Sequence, residues 1–187
     1  MLQTTEAQLP ADQTPSIVYL AKLSKGSRRS VQQALDTMAD KLGGVSADLF
    51  PWNELRYQHA QALRSWLAEN YSLASTNKML SVLRGVLKEA WKLDQMSDSD
   101  YHKAASVEGV KGERVLAGRS LSSGEIAAFM QACKDHPRDA AIFGILYTWG
   151  LRRAEAVALD LNDWNAENSS LKVRGKRNKE RMIYLEG

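Results

Sequence analysis

Apolar residues recur at three- and four-residue spacing along the first half of the chain, and this spacing predicts helices that each bury one face. One such stripe runs from Val31 to Leu42. It lies between a candidate N-terminal cap at Ser27 and the Gly43-Gly44 pair, which is suited to end a helix. A second helix is predicted at about residues 54–70, after Pro51.

The longest apolar stripe predicts the central helix of a bundle. It begins at Ser75, a candidate cap, and places apolar side chains at seven positions as far as Trp91. A shorter helix is predicted after Ser97 or Ser99. Together these segments predict a bundle of four or five helices over residues 15–107, preceded by a flexible polar tail at residues 1–14.

The pattern breaks at residues 108–120, where Gly, Lys, Arg, Glu and Ser predict a linker between two domains. Beyond it, Ser122 and Glu125 have the spacing of a capping box, and Pro137 and Gly150 bracket a further helix. A short helix is predicted at about residues 153–159.

The last segment changes to a β-strand pattern, at residues 171–173 and again at residues 182–185, which predicts a hairpin with a basic tip. The fold class is therefore mainly α, with an α+β second domain at residues 121–187.

Charge is distributed unevenly along the chain. The 187 residues carry a net charge of +3 and a sequence pI near 9.0, which permits a polyanionic partner without requiring one. Between Lys172 and Arg181, however, six basic residues stand against one acid, a local net charge of +5. The positive charge is therefore concentrated in the predicted hairpin.

Composition disfavours several classes of protein. A single cysteine, Cys133, excludes an internal disulfide and a cysteine zinc cluster, and no apolar run is long enough to predict a membrane span. Residues 1–11 do not have the pattern of a secretion signal. We therefore expect a cytoplasmic protein without a membrane contact.

The segment Gly150-Leu151-Arg152-Arg153-Ala154-Glu155 places an arginine directly after a helix-ending glycine. At the start of the next short helix, unpaired N–H groups favour an anion, and Arg152 there is suited to clamp a phosphate. Position alone favours the alternative, a surface arginine in a turn between helices. Glu155, on the same helical face, either holds that guanidinium or is a solvated acid.

Lys176 stands at the predicted hairpin tip, in Gly175-Lys176-Arg177-Asn178-Lys179-Glu180-Arg181. A lysine there can reach into a groove and donate a proton to the leaving oxygen of a phosphodiester. The alternative is a soluble charged turn.

In this order and spacing, these segments resemble the tyrosine recombinase (phage integrase) family. The resemblance is specific at residues 146–155 and 173–181, and looser in residues 121–126 and in the bundle. It implies that Arg152 is the first catalytic arginine, that Lys176 is the catalytic lysine and that Glu155 supports the active site. It also implies a SAM-like core-binding domain, a catalytic domain, and DNA cleavage through a phosphotyrosine intermediate without metal or nucleotide cofactor.

The family's remaining catalytic groups have no match within these residues. None of His59, His102 and His136 belongs to a His-x-x-Arg sequence, and Tyr184 lies in a strand pattern that predicts packing. We therefore interpret residues 121–187 as the N-terminal, incomplete part of a catalytic domain, inactive alone, with exposed apolar surface. The alternative is a non-catalytic DNA-binding module from a natural truncation, which occupies recombination sites or blocks the intact enzyme.

The expected partner is a double-stranded DNA recombination site, with self-association of the chain on DNA, and no small-molecule ligand is expected. Contacts to phosphates are predicted at the start of the first long helix, along the central helix and in the hairpin. These residues are Lys25, Arg28, Arg29, Ser75, Thr76, Asn77, Lys78, Arg84, Lys88, Arg174, Arg177, Lys179 and Arg181. The alternative for those in the bundle is ordinary helix capping and a solvated face.

Overall fold

The computed structural model describes residues 9–112, 118–175 and 179–184, and it divides the chain into two compact units, Met1–Val115 and Leu116–Gly187. The described residues form eight α-helices and one three-stranded antiparallel sheet. The predicted fold class, mainly α with strands near the C-terminal end, is confirmed.

The first unit is a bundle of five helices around one apolar core. The helices are α1 (Pro15–Ala21), α2 (Lys25–Gly43), α3 (Tyr57–Asn70), α4 (Leu73–Lys92) and α5 (Asp98–Ala105). Helix α4 contacts each of the other four, and Leu80, Leu83, Val86 and Leu87 on it are almost fully buried. The strongest stripe in the sequence is therefore the central element, as predicted.

Two helices in the bundle begin earlier than the sequence indicates. Helix α2 follows Ser24 rather than Ser27, and α4 follows Ser72 rather than Ser75. The Ser72 hydroxyl accepts a hydrogen bond from the backbone N–H of Ser75, which is the capping interaction. At the start of α4, two serines three residues apart offer the same cap to a sequence pattern, and only the outer one is used.

The bundle extends beyond the predicted range, residues 15–107, at both ends. Residues 11–13 form a 3₁₀ turn and Thr14 is buried, so the predicted flexible tail does not extend to residue 14. At the other end, the guanidinium of Arg64 donates to the carbonyls of Glu108 and Gly109, and the Asn77 amide forms two hydrogen bonds with the backbone of Val110. The first residues of the predicted linker are therefore held on the bundle.

Gly85, in the middle of α4, gives a prediction about stability. A Cβ built at this position lies well inside van der Waals contact with the ring of Tyr19 on α1, whereas one built at Gly26 on α2 meets no atom within 4 Å. We expect Gly85→Ala to lower the free energy of unfolding by about 1–3 kcal/mol through overpacking. The matched Gly26→Ala change should raise it by roughly 0.5–1 kcal/mol, because alanine favours helix. Urea unfolding measures both, and stabilisation by Gly85→Ala would contradict the α1–α4 contact.

The second unit contains α6 (Ser123–Ala132), α7 (Pro137–Trp149), α8 (Arg153–Val157) and the strands β1 (Trp164–Asn165), β2 (Ser170–Arg174) and β3 (Glu180–Tyr184). Ser122 and Glu125 form the predicted capping box, and Gly150 ends α7 with a φ of 58°. The sheet order is β1-β2-β3. Strand β1 was not predicted, since two residues show no alternation, and α8 ends two residues earlier than expected.

Apolar side chains remain exposed in this unit. Its buried core is Leu151, Leu171 and Val173, and α6 and α7 bury no residue fully. The rings of Phe129, Phe143 and Tyr147 stack in succession. The sequence predicted exposed apolar surface in this unit, and the structure shows it. The prediction that Tyr184 packs against the rest of the unit is wrong, because its side chain is 61% exposed. The register pairs Ile183 with the buried Leu171, which turns Tyr184 to the other face.

Candidate active site

Arg152 connects the two helices of the Gly150–Glu155 segment. Its backbone is extended, with φ −69° and ψ 146°, between the left-handed Gly150 and the first turn of α8. The neighbouring Leu151 is buried, whereas the Arg152 side chain is 77% exposed. The fold thus fixes the backbone and presents the guanidinium to solvent.

The predicted role of the α8 N-terminus in attracting an anion is not supported. The backbone N–H of Arg152 donates to the Glu155 carboxylate at 3.0 Å, so the chain's own acid occupies that donor. Helix α8 also has only five residues. Any attraction for phosphate at this position therefore rests on the guanidinium.

Glu155 is buried and accepts hydrogen bonds from two arginines. Its Oε1 accepts from Arg152 Nη1 at 2.9 Å and from Arg181 Nη1 at 3.1 Å, while its Oε2 accepts from Arg181 Nη2 at 2.9 Å. The side chain is only 4% exposed. Of the two roles that the sequence left open for Glu155, the structure shows the one in which it holds the Arg152 guanidinium. We refer to Glu155, Arg152 and Arg181 as the Glu155 cluster.

The Glu155 cluster makes the second unit sensitive to acid. Hydrogen bonds from the Arg181 side chain and then from the Arg152 backbone lower the pKa of Glu155 from 4.5 to about 2. A lowered pKa favours the folded state fully above about pH 4.5, and this contribution is lost as the pH falls towards 2. We expect Glu155→Gln to reduce stability at neutral pH and to flatten the fall in stability between these values. Thermal unfolding across that pH range, followed at amides of the second unit, measures it.

Glu125 provides the comparison for this experiment. The Arg119 guanidinium binds it at 2.6 and 2.9 Å, and this interaction lowers the pKa of Glu125 to about 2 as well. Glu125→Gln should therefore remove another part of the same acid transition, and the double variant should show the flattest curve. Parallel curves for the wild type and Glu155→Gln would contradict the assignment.

The hairpin that carries Lys176 is closed at its base by a backbone hydrogen bond from Gly175 N–H to the Lys179 carbonyl, at 2.7 Å. Lys176 and Arg177 lie outside the described residues. A Cβ built on Gly175 would be 3.2 Å from Glu155 Oε1, so the residue before Lys176 packs closely against the carboxylate that binds Arg152. The two signatures noted in the sequence therefore meet at Glu155.

The predicted DNA contacts of the hairpin differ in their surroundings. Lys179 is exposed, but Arg181 is bound to Glu155, and Arg174 donates to the buried Asp163 at 2.6 Å. Arg174 also lies 3.9 Å from Glu180. The local charge of +5 is thus partly neutralised by acids that precede the hairpin in the sequence.

In the bundle, one predicted DNA contact is excluded. Thr76 is fully buried, and its hydroxyl donates to the Leu67 carbonyl at 3.0 Å. The sequence placed Thr76 in the first, open turn of a helix, but α4 starts at Leu73 and brings this position into the core. Its side chain supports the packing of α3 on α4.

Three other predicted contacts have intramolecular partners. Asn77 binds Val110 as described above, Arg84 donates to the carbonyls of Ala105 and Val107, and Arg28 donates to those of Leu23 and Ala21. These bonds satisfy carbonyls at or just beyond the ends of α5 and α1. They give Asn77, Arg84 and Arg28 a structural role, and a contact of these residues with DNA remains a prediction.

The remaining candidates in the bundle are exposed: Lys25, Arg29, Ser75, Lys78 and Lys88. Ser75 and Lys78 line a shallow groove between α2 and the start of α4, together with four residues that were not singled out in the sequence: Ser30, Gln33, Thr37 and Tyr71. Three of these four recur at helical spacing on α2, and that recurrence was the available signal. Ala34 and Met79 add apolar surface to the groove, and Lys78 is the basic residue in its lining.

The described residues contain no group of three or more His, Cys, Asp or Glu side chains placed to hold a metal ion. No helix in the described part of the chain has the length and apolar character to cross a membrane.

Comparison with known proteins identifies relatives for both units. Residues 119–186 match the model of the Phage integrase family. Tyrosine recombinase XerC of Vibrio cholerae is 30% identical over 169 residues, covering 88% of this chain and 52% of the relative. XerC of Natranaerobius thermophilus is 29% identical over 153 residues, covering 80% of this chain and 50% of the relative. The chain thus spans about half the length of the curated relatives it matches.

Among solved structures, lambda integrase, described as a dimer bound to a COC' core site, has a similar fold. The TM-score is 0.64 at 16% sequence identity, and the match covers 93% of this chain and 47% of that chain. At this identity the likeness concerns the fold.

Proposed function

Because this chain belongs to the tyrosine recombinase (phage integrase) family, we propose that it is the DNA-binding portion of a site-specific recombinase and that it contributes two groups to the active site. The helical bundle binds duplex DNA. Arg152 binds the scissile phosphate, and Lys176 protonates the leaving oxygen.

The observation that carries this proposal is the position of Arg152 in the Glu155 cluster. Its guanidinium is largely exposed, yet a buried carboxylate holds it, and the same carboxylate packs against Gly175, directly before Lys176. A guanidinium held in advance stabilises the charge that develops on phosphate oxygens without reorganising during the reaction. Lysine supplies a proton to the oxygen that leaves when the DNA strand is cleaved.

In the reaction that the family resemblance implies, a tyrosine attacks the phosphate and the DNA oxygen leaves, so that phosphotyrosine replaces one phosphodiester bond. Arg152 and Lys176 are two of the groups that this reaction needs. Residues 1–187 contain no His-x-x-Arg sequence. We therefore expect this polypeptide to bind DNA without forming a covalent adduct, and to do so in the cytoplasm, without metal or cofactor.

The proposed DNA surface is the exposed basic side of the bundle. Lys25 and Arg29 at the start of α2, and Lys78 and Lys88 on α4, are solvent-exposed. These side chains supply phosphate contacts, while the polar side chains of Gln33, Thr37 and Ser75 in the groove are placed to contact base edges. We further propose that two copies assemble on one site, by analogy with the lambda integrase dimer.

Fluorescence anisotropy with a labelled 30-base-pair duplex tests the proposal. Even without the cognate sequence, we expect non-specific binding with a Kd of roughly 1–100 µM near physiological salt, and tighter binding at lower salt. Absence of binding at low salt would refute the proposed function. Denaturing electrophoresis after incubation with supercoiled plasmid should show no protein–DNA adduct, and an adduct would refute the expectation of an inactive chain.

A further inference from the structure

The two strands that flank Lys176 each carry an arginine bound to a buried carboxylate. Arg174, at the end of β2, binds Asp163, and Arg181, in β3, binds Glu155. Both acids are more than nine-tenths buried. The hairpin is thus attached to the preceding segment at two points, of which one is also attached to Arg152.

The register of the hairpin explains why these arginines reach different acids. Arg181 pairs with Val173, which is fully buried, so its side chain leaves the sheet on the inner face. Arg174 is the next residue after Val173 and therefore points to the opposite face. One arginine secures each face of the hairpin.

The two arginines bind Glu155 equally often, but Arg181 does so twice through its guanidinium and Arg152 once through its guanidinium and once through its backbone N–H. Arg181 binds both carboxylate oxygens in a bidentate arrangement, with 3.1 and 2.9 Å distances. Among the described residues, the Arg152 guanidinium makes its hydrogen bond to Glu155 through Nη1 alone. Since Arg181 occupies both oxygens, Arg152 is oriented by the acid without being fully paired to it.

We propose that Arg181 is a positioning residue. Because Arg181 binds both oxygens of Glu155, Arg152 does not form a bidentate pair with this carboxylate, and the Arg152 guanidinium stays available to a DNA phosphate. This role replaces the direct DNA contact predicted for Arg181. It rests on the proposed function for the identity of the phosphate, whereas the arrangement of the three side chains does not depend on it.

The side-chain Nε–Hε signal of Arg152, observed by NMR in the ¹⁵N-labelled chain and assigned with Arg152→Lys, tests the arrangement directly. In Arg181→Gln, Arg152 should become bidentate on Glu155, and its signal should shift. Arg174→Gln is the matched control, because it removes an equal charge from the same hairpin but leaves Glu155 untouched. An unshifted Arg152 signal in Arg181→Gln would overturn the proposal.

Titration with inorganic phosphate, followed at the same signal, tests the consequence. We expect Arg181→Gln to weaken phosphate binding roughly three- to tenfold, about the worth of one hydrogen bond. Adding Glu155→Gln should restore the affinity, because the acid that captures Arg152 is then gone. If Arg181 itself contacted the phosphate, Glu155→Gln would not restore the affinity. If Arg174→Gln weakened phosphate binding equally, the loss would be explained by net charge alone. Either result would overturn the proposal.

Two further outcomes are distinguishable. If Arg181→Gln unfolds the second unit, as judged by its amide spectrum, Arg181→Lys takes its place, since lysine keeps the charge but not the bidentate geometry. If the wild-type chain binds neither phosphate nor duplex DNA, the proposed function fails, while the Arg152 signal in the absence of ligand still decides whether Arg181 positions it.

Discussion

Replacing Lys25, Arg29 and Lys78 together by glutamine is expected to lower the affinity for duplex DNA roughly 500-fold at about 0.1 M monovalent salt. The three cations are exposed at the start of α2 and in the first turns of α4. If each neutralises one phosphate, the slope of log K against log salt should become less steep by about 2.7. The loss should therefore be largest at low salt and diminish as salt is added.

Anisotropy titrations at four or five salt concentrations measure both the affinity and the slope. The matched control neutralises Lys92, Lys103 and Lys134, which are also exposed but lie outside the proposed surface. It removes the same net charge, so it reports the effect of general electrostatics. If the two triple variants lose affinity and slope equally, the DNA surface has been placed on the wrong face.

The choice of these three residues depends on the structure, because the sequence treated all bundle cations alike. Arg28 and Arg84 are equally basic, but their guanidinium groups are committed to backbone carbonyls. These hydrogen bonds satisfy backbone carbonyls near the ends of other helices. The carbonyls that Arg84 binds belong to residues more than twenty positions away in the sequence. No local pattern distinguishes an arginine of this kind from one that is free to bind phosphate.

The parts of the fold that the sequence predicted well depend on local rules. Gly150 ends α7 because glycine adopts a positive φ, and Ser122 with Glu125 caps α6 through bonds within one turn. Both interactions are complete within four residues. The apolar stripe of α4 was equally clear, because seven of the nine buried positions of this helix are apolar and their spacing repeats along its length.

The candidate site was predictable in its residues but not in its connections. Arg152 and Glu155 belong to one helical turn, so their interaction follows from spacing. Arg181 joins Glu155 across 26 positions, and only the strand register places it on the inner face of the hairpin. The same limitation explains Thr76, whose burial is decided by where α4 meets α3 rather than by its position near the start of a helix.

Trp52→Ala is expected to lower the free energy of unfolding of the bundle by about 3–5 kcal/mol. Trp52 lies between α2 and α3, is 1% exposed, and contacts the edge of Phe50 at a ring distance of 4.7 Å. Its indole N–H donates to the Ala47 carbonyl at 2.7 Å. Aromatic residues in a connection between helices give no periodic signal, and the sequence pattern did not reveal the role of Trp52.

Two variants separate the contributions at Trp52. Trp52→Phe keeps most of the ring volume but leaves the Ala47 carbonyl without this donor, so we expect a loss of about 1–3 kcal/mol. Leu49→Ala, in the same connection, removes a side chain that is 46% exposed and should change stability by no more than roughly 0.5–1 kcal/mol. Urea unfolding followed by amide signals of the bundle measures all three.

The Trp52 variants also distinguish folding from contact in the DNA experiment. Trp52 is buried, so it has no means of touching phosphate, and any effect on DNA binding must arise through the fold. For a domain of typical stability, about 5–15 kcal/mol, a loss of 3–5 kcal/mol leaves most molecules folded. The affinity of Trp52→Ala should then be close to that of the wild type at 15 °C and fall steeply on warming, with the unfolding transition.

The Lys25, Arg29 and Lys78 triple variant should instead bind weakly at every temperature while its unfolding curve stays near that of the wild type. Weak binding by Trp52→Ala under conditions where its amide spectrum is native would mean that the connection between α2 and α3 takes part in DNA binding itself.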